Sequence, residues 1–130
     1  MTSDAGVWVI ASLMVVAALV VALFWIIWFR EEHDQDWLPA GYVEHEAPFV
    51  WTDIPLAVLL VVSAVLLVVE EPLGERLALV AAGMLAFLGI LDTAYFWRTG
   101  LFARDRDGLA NLGVVTGVLL LSGILLVRFL

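Results

Sequence analysis

Asp92 is the acid set deepest in apolar sequence, with Leu85-Ala86-Phe87-Leu88-Gly89-Ile90-Leu91 before it and Thr93-Ala94-Tyr95-Phe96-Trp97-Arg98 after it. A carboxyl group in such a setting can carry a proton, hold a cation or act as counter-ion to a ligand, and ionisable side chains inside membranes commonly serve these ends. The competing role is structural, a hydrogen bond to Asn111, Tyr95 or an arginine. Asp92 lies six residues before Arg98, about 9 Å along a helix axis. Interfacial water is therefore within reach, and the insertion penalty falls below the ~2.5 to 3.5 kcal/mol of a helix centre.

Asp53, Tyr95, Arg98 and Asn111 join Asp92 as candidates for one polar cluster, because they fall at ends of three apolar stretches that would meet at the same membrane face. Clusters of this kind begin solute pathways, and they also cap helix ends. His33 and His45 stand among acids in Glu31-Glu32-His33-Asp34-Gln35-Asp36 and Glu44-His45-Glu46. Histidine with carboxylates suits Zn²⁺ or Mn²⁺, but no established ligand spacing is present, so a solvated acidic loop is expected in place of a metal site. Ser12, Ser63 and Ser122 are isolated within apolar runs and read as helix-contact groups.

The chain has no cysteine, which excludes disulfides, thiolate metal sites and thiol nucleophiles. It has no phosphate-cradling glycine loop, nucleophile elbow or dinucleotide fingerprint. No enzymatic activity and no cofactor are expected. The net charge of -8, with six arginines and no lysine, disfavours nucleic acid and anionic lipid surfaces.

The elements that must position these residues are membrane spans. At 130 residues and 64% hydrophobic content, the chain exceeds ordinary soluble composition and has room for about four spans of ~20 residues. The apolar runs predict spans at 7–29, 54–69, 77–97 and 109–130. The first lacks the basic start and small-residue cleavage site of a signal peptide, so it is expected to be retained. Between the first two spans, 30–53 carries Trp37, Pro39, Tyr42, Pro48 and Trp51 among its acids, as expected of a loop lying along the interface. Asp53 is expected to cap the second span, with Pro55 in its first turn. Pro72 and Gly74 are expected to stop that helix and turn the chain into the third.

The expected fold is thus an all-α integral membrane protein, an up-down bundle of four transmembrane helices forming one membrane domain. Ala78, Ala81, Leu85 and Gly89 share a helical stripe with Asp92, which predicts that this stripe faces the interior. In the last span, Gly113-Val114-Val115-Thr116-Gly117 is a GxxxG, a sequence that permits close backbone approach. Gly113, Thr116, Leu120 and Gly123 lie opposite Asn111 and Ser122 on the wheel. That face is expected either to pack internally or to meet a second copy or another membrane protein.

Arg30, Arg98, Arg104 and Arg106 lie on the long-loop side, and Arg76 and Arg128 on the other. The excess places the long loop in the cytoplasm and both termini outside, in the cell membrane of a prokaryote. No stretch spells out a reaction. The expected role is a non-enzymatic structural, accessory or interaction subunit. The alternative is a small transporter or channel for protons, cations or a small solute, using Asp92 at the mouth of the bundle.

Overall fold

The computed structural model describes residues 5–30, 47–99 and 105–130. Four long α-helices run through them: α1 (Ala5–Arg30), α2 (Val50–Val68), α3 (Pro72–Thr99) and α4 (Asp105–Phe129). A single 3-10 turn at Ala47–Phe49 leads into α2. Each helix contributes a stretch long and apolar enough to cross a membrane: Ala5–Arg30, Ala47–Val68 (turn included), Pro72–Tyr95 and Leu112–Phe129. Runs of Val, Leu, Ile and Ala become helices in this setting because hydrocarbon offers no partner for a free N–H or C=O, so the backbone must satisfy itself.

The bundle is up-down, and each helix packs chiefly on its neighbours in sequence. α2 lies against α1 and α3, and α3 against α4, while α1 and α4 meet only lightly. The interior is a stripe from each helix: Val7, Met14 and Ala18 from α1, Leu56, Leu60 and Leu67 from α2, Ala78, Ala81 and Leu85 from α3, and Leu121 and Leu125 from α4. Three of the α3 alanines, Ala78, Ala81 and Ala82, are 0% exposed, and small side chains of this kind let helices approach closely. The outer surface is no less apolar, with Phe87 67% and Val127 89% exposed. In water that surface would be a large aggregation-prone patch. In a bilayer it is simply the side that meets lipid.

Several boundaries differ from expectation, for physical reasons. α2 begins at Val50, so Asp53 lies in its first turn and is not the cap; the cap position is Phe49, which makes no side-chain capping bond. Pro55 is then inside the helix, where the carbonyl of Trp51 loses its i+4 donor. Trp51 is 82% exposed, at the end where interfacial water can solvate that oxygen.

The stop of α2 is also not made by glycine. Glu70 adopts φ 62, its N–H donates to the Leu67 carbonyl and the Glu71 N–H to the Leu66 carbonyl, at 3.2 and 2.9 Å. These paired bonds are those of a Schellman ending with Glu in the left-handed position that glycine usually holds. Pro72 then opens α3, where its missing N–H is no loss. Gly74 sits one turn further in and serves proximity: a Cβ there would stand 2.7 Å from the Leu67 nitrogen and 2.9 Å from the Leu66 carbonyl carbon. α3 and α4 also start earlier than their apolar runs, at Pro72 and Asp105.

Candidate functional site

The apolar core thins toward the long-loop end of the bundle, where polar side chains enter. α1 ends there in Phe24-Trp25-Ile26-Ile27-Trp28-Phe29-Arg30. Trp25 and Trp28 are 3% and 7% exposed, whereas Phe29 is 61% exposed. The four rings stack into one group, with Trp25 edge-on to Trp28 at 5.3 Å and to Phe24 at 5.0 Å, and Trp28 perpendicular to Phe29 at 5.1 Å. Such edge-to-face pairs are the favoured aromatic geometry. They make the end of α1 a stiff block.

From that block the Trp25 Nε1–H donates to Asp53 Oδ2 on α2 at 2.8 Å. The bond joins residues 28 apart in sequence and ties α1 to α2 at their adjoining ends. Asp53 is half-buried, as is Asp92 on α3. Thus α2 and α3 each carry a half-buried carboxyl group, and α1 supplies an N–H to the one on α2.

The residues around Asp92 are ordered by α3. Its stripe through Ala78, Ala81, Leu85 and Gly89 is buried, so Asp92 continues an inward-facing line. Thr93 donates from Oγ1 to the Gly89 carbonyl at 2.6 Å, which satisfies the hydroxyl within its own helix. Tyr95 is half-buried and its Oη is shielded from solvent. Arg98 is exposed in the last turn of α3. Asn111 is on α4, but its side chain lies outside the described residues, as do His33, His45 and the loop segment 31–46. Of the five residues that the sequence points to, Asp53, Asp92 and Tyr95 are half-buried and Arg98 is in the open.

The helix-packing candidates divide. At Gly89 a Cβ would lie 2.6 Å from Leu119 Cδ2 and 2.8 Å from its Cγ, so α4 packs directly over this glycine. Gly113 and Gly117 are exposed, with nothing within 4 Å of where a Cβ would stand, and Gly123 is the same. Among the described residues, nothing of this chain packs on the GxxxG of α4. Ser122, on the opposite face, is 3% exposed and donates to the Ala82 carbonyl of α3 at 2.8 Å. Ser63 bonds the Leu60 carbonyl of its own helix, and Ser12 is exposed along a groove between α1 and α2.

Trp25 is the residue that the sequence does not single out, since it reads as one more interface tryptophan. Its spacing carries the signal: it falls seven and fourteen residues after Ala18 and Ala11, on the inward stripe of α1. A separate groove of about 590 Å³ runs between α2 and α3 past Phe49, Thr52, Val80, Gly83 and Phe87. Its walls are almost wholly apolar, so it suits hydrocarbon and not a charged solute. No group of three or more metal-ligating side chains occurs among the described residues.

What the polar end can do chemically is limited to its donor and acceptor set. Two carboxylates offer acceptors for a proton or small cation, and one indole N–H holds the first carboxylate in place. No protein-family model matches this chain, and neither a curated protein nor a solved structure does.

Proposed function

We propose that this protein is a non-enzymatic membrane subunit, which docks a transmembrane helix of a second copy or of another membrane protein on the outer face of α4. The observation that carries this reading is the open space above Gly113, Gly117 and Gly123. Glycine at these positions brings no packing within the chain, while it lowers a barrier to close approach from outside. Isolation from native membranes in mild detergent, followed by mass measurement of the intact particle, tests it. Recovery as a bare monomer, both there and in reconstituted bilayers, would sink the reading.

A second reading is favoured by the half-buried carboxyl groups of Asp53 and Asp92, set in helices long and apolar enough to cross a membrane. In it the protein is a small transporter or channel that passes protons, cations or a small solute by way of Asp92. In proteoliposomes Asp92→Asn then abolishes coupled flux while assembly stays intact, and a wild-type protein with no flux removes this reading. In either case the protein belongs in the cell membrane of a prokaryote. The arginines of the long-loop side lie in the cytoplasm and both termini outside, a placement that cysteine labelling from either side of the membrane would check.

A further inference from the structure

We infer that Trp25 is a positioning residue which holds the Asp53 carboxylate against the end of α1 and so controls access to Asp53 from the membrane. The inference rests on the second reading above for its biological meaning, but its geometry stands apart from any flux. Three observations converge. The Trp25 Nε1–H donates to Asp53 Oδ2 at 2.8 Å. Trp25 is itself 3% exposed and clasped edge-on by Phe24 and Trp28, so the donor cannot follow a carboxylate that swings away. Beyond Ala18 the fully buried residues of α1 are Trp25 and Trp28 alone, so the last turns of this helix are attached through these two rings.

A carboxylate in a low-dielectric surround has few alternatives to the partner it is offered. The donor offered to Asp53 is fixed by an aromatic block of Phe24, Trp25, Trp28 and Phe29. Removal of the indole N–H therefore releases the Asp53 carboxylate from α1. Loss of Trp28 thins the aromatic block but leaves the N–H in place. The two tryptophans are alike in type, helix and burial, so they separate positioning from packing.

The test uses the full chain in proteoliposomes. Reaction with dicyclohexylcarbodiimide, a membrane-permeant carboxyl reagent, is followed by mass spectrometry of the Asp53-containing peptide. Trp25→Phe should raise Asp53 labelling roughly tenfold, equivalent to about 1.4 kcal/mol, the scale of one net hydrogen bond. Trp28→Phe should leave it near wild type. Equal labelling in wild type and Trp25→Phe, or an equal rise in both variants, overturns the inference.

A measurement on the unaltered protein guards against a variant that fails to fold. In ¹⁵N spectra of the six tryptophan indoles, the Trp25 N–H should exchange with water far more slowly than those of Trp51 and Trp97, which are 82% and 78% exposed. A Trp25 indole that exchanges as fast as theirs overturns it as well. Neither readout depends on transport, so a protein without flux would end the second reading and leave this one standing.

Discussion

Ser122 on α4 donates its hydroxyl to the backbone carbonyl of Ala82 on α3, 2.8 Å away and 40 residues apart in sequence. The Ala82 carbonyl already accepts within its helix, so the serine uses a second lone pair where α3 shows only small side chains. Interhelical bonds of this sort contribute about 0.6 kcal/mol on average in membrane proteins. Ser122→Ala should therefore cost about that much in an unfolding titration from mild detergent into SDS. A loss several times larger would mean that the hydroxyl orders more than one contact.

Gly89 and Gly113 make a matched pair of tests, since one is covered and the other open. Gly89→Ala forces Leu119 aside and should destabilise the bundle by about 1 to 3 kcal/mol, the usual penalty for overpacking. Gly113→Leu should leave the unfolding midpoint of the isolated chain unchanged and weaken association with a docked helix. Measured side by side by SDS titration and by crosslinking in membranes, the two effects should not trade places.

Glu70→Gly should stabilise the protein by about 1 kcal/mol, because a left-handed residue with a Cβ is disfavoured by about 1 to 2 kcal/mol and part of that gain is lost to the added freedom of the unfolded chain. The thermal midpoint by circular dichroism should rise. Gly74→Ala, by contrast, should lower it strongly, since the Cβ meets the backbone of Leu66 and Leu67, which has no rotamer to change.

Asp53→Ala strips the buried Trp25 N–H of its acceptor and should cost about 1 to 3 kcal/mol. Asp53→Asn keeps an oxygen at the same place and should cost less. The order of the two in the same titration is the check, and a reversed order would show that the carboxylate charge, not the hydrogen bond, dominates at this position.

The fold is legible because a span announces itself by length and composition, without the need for any tertiary contact. The inward stripe of α3 is legible too, since Ala78, Ala81 and Gly89 differ in size from Phe87 and Ile90 around them. On α1 nearly every residue is apolar, so periodicity separates its faces only by faint differences in volume, and Trp25 reads as an anchor. The Trp25–Asp53 bond spans a long connection, and no local pattern records it. The end of α2 misleads because Gly74 offers the usual stop signal, whereas the residue that turns the chain is a glutamate with no special left-handed preference. Asp53 resembles a cap because the apolar run begins after it, while the helix begins earlier, in polar and aromatic sequence that the interface tolerates.

The light seam between α1 and α4 has a consequence for how the chain is made. Each helix finds its main partner in the one synthesised just before it: α2 docks on α1, α3 on α2 and α4 on α3. No span has to wait in the membrane for a distant mate, and the last to emerge finds α3, its main partner, already in place. Ribosome-bound intermediates should thus acquire their final contacts pair by pair, in the order of translation.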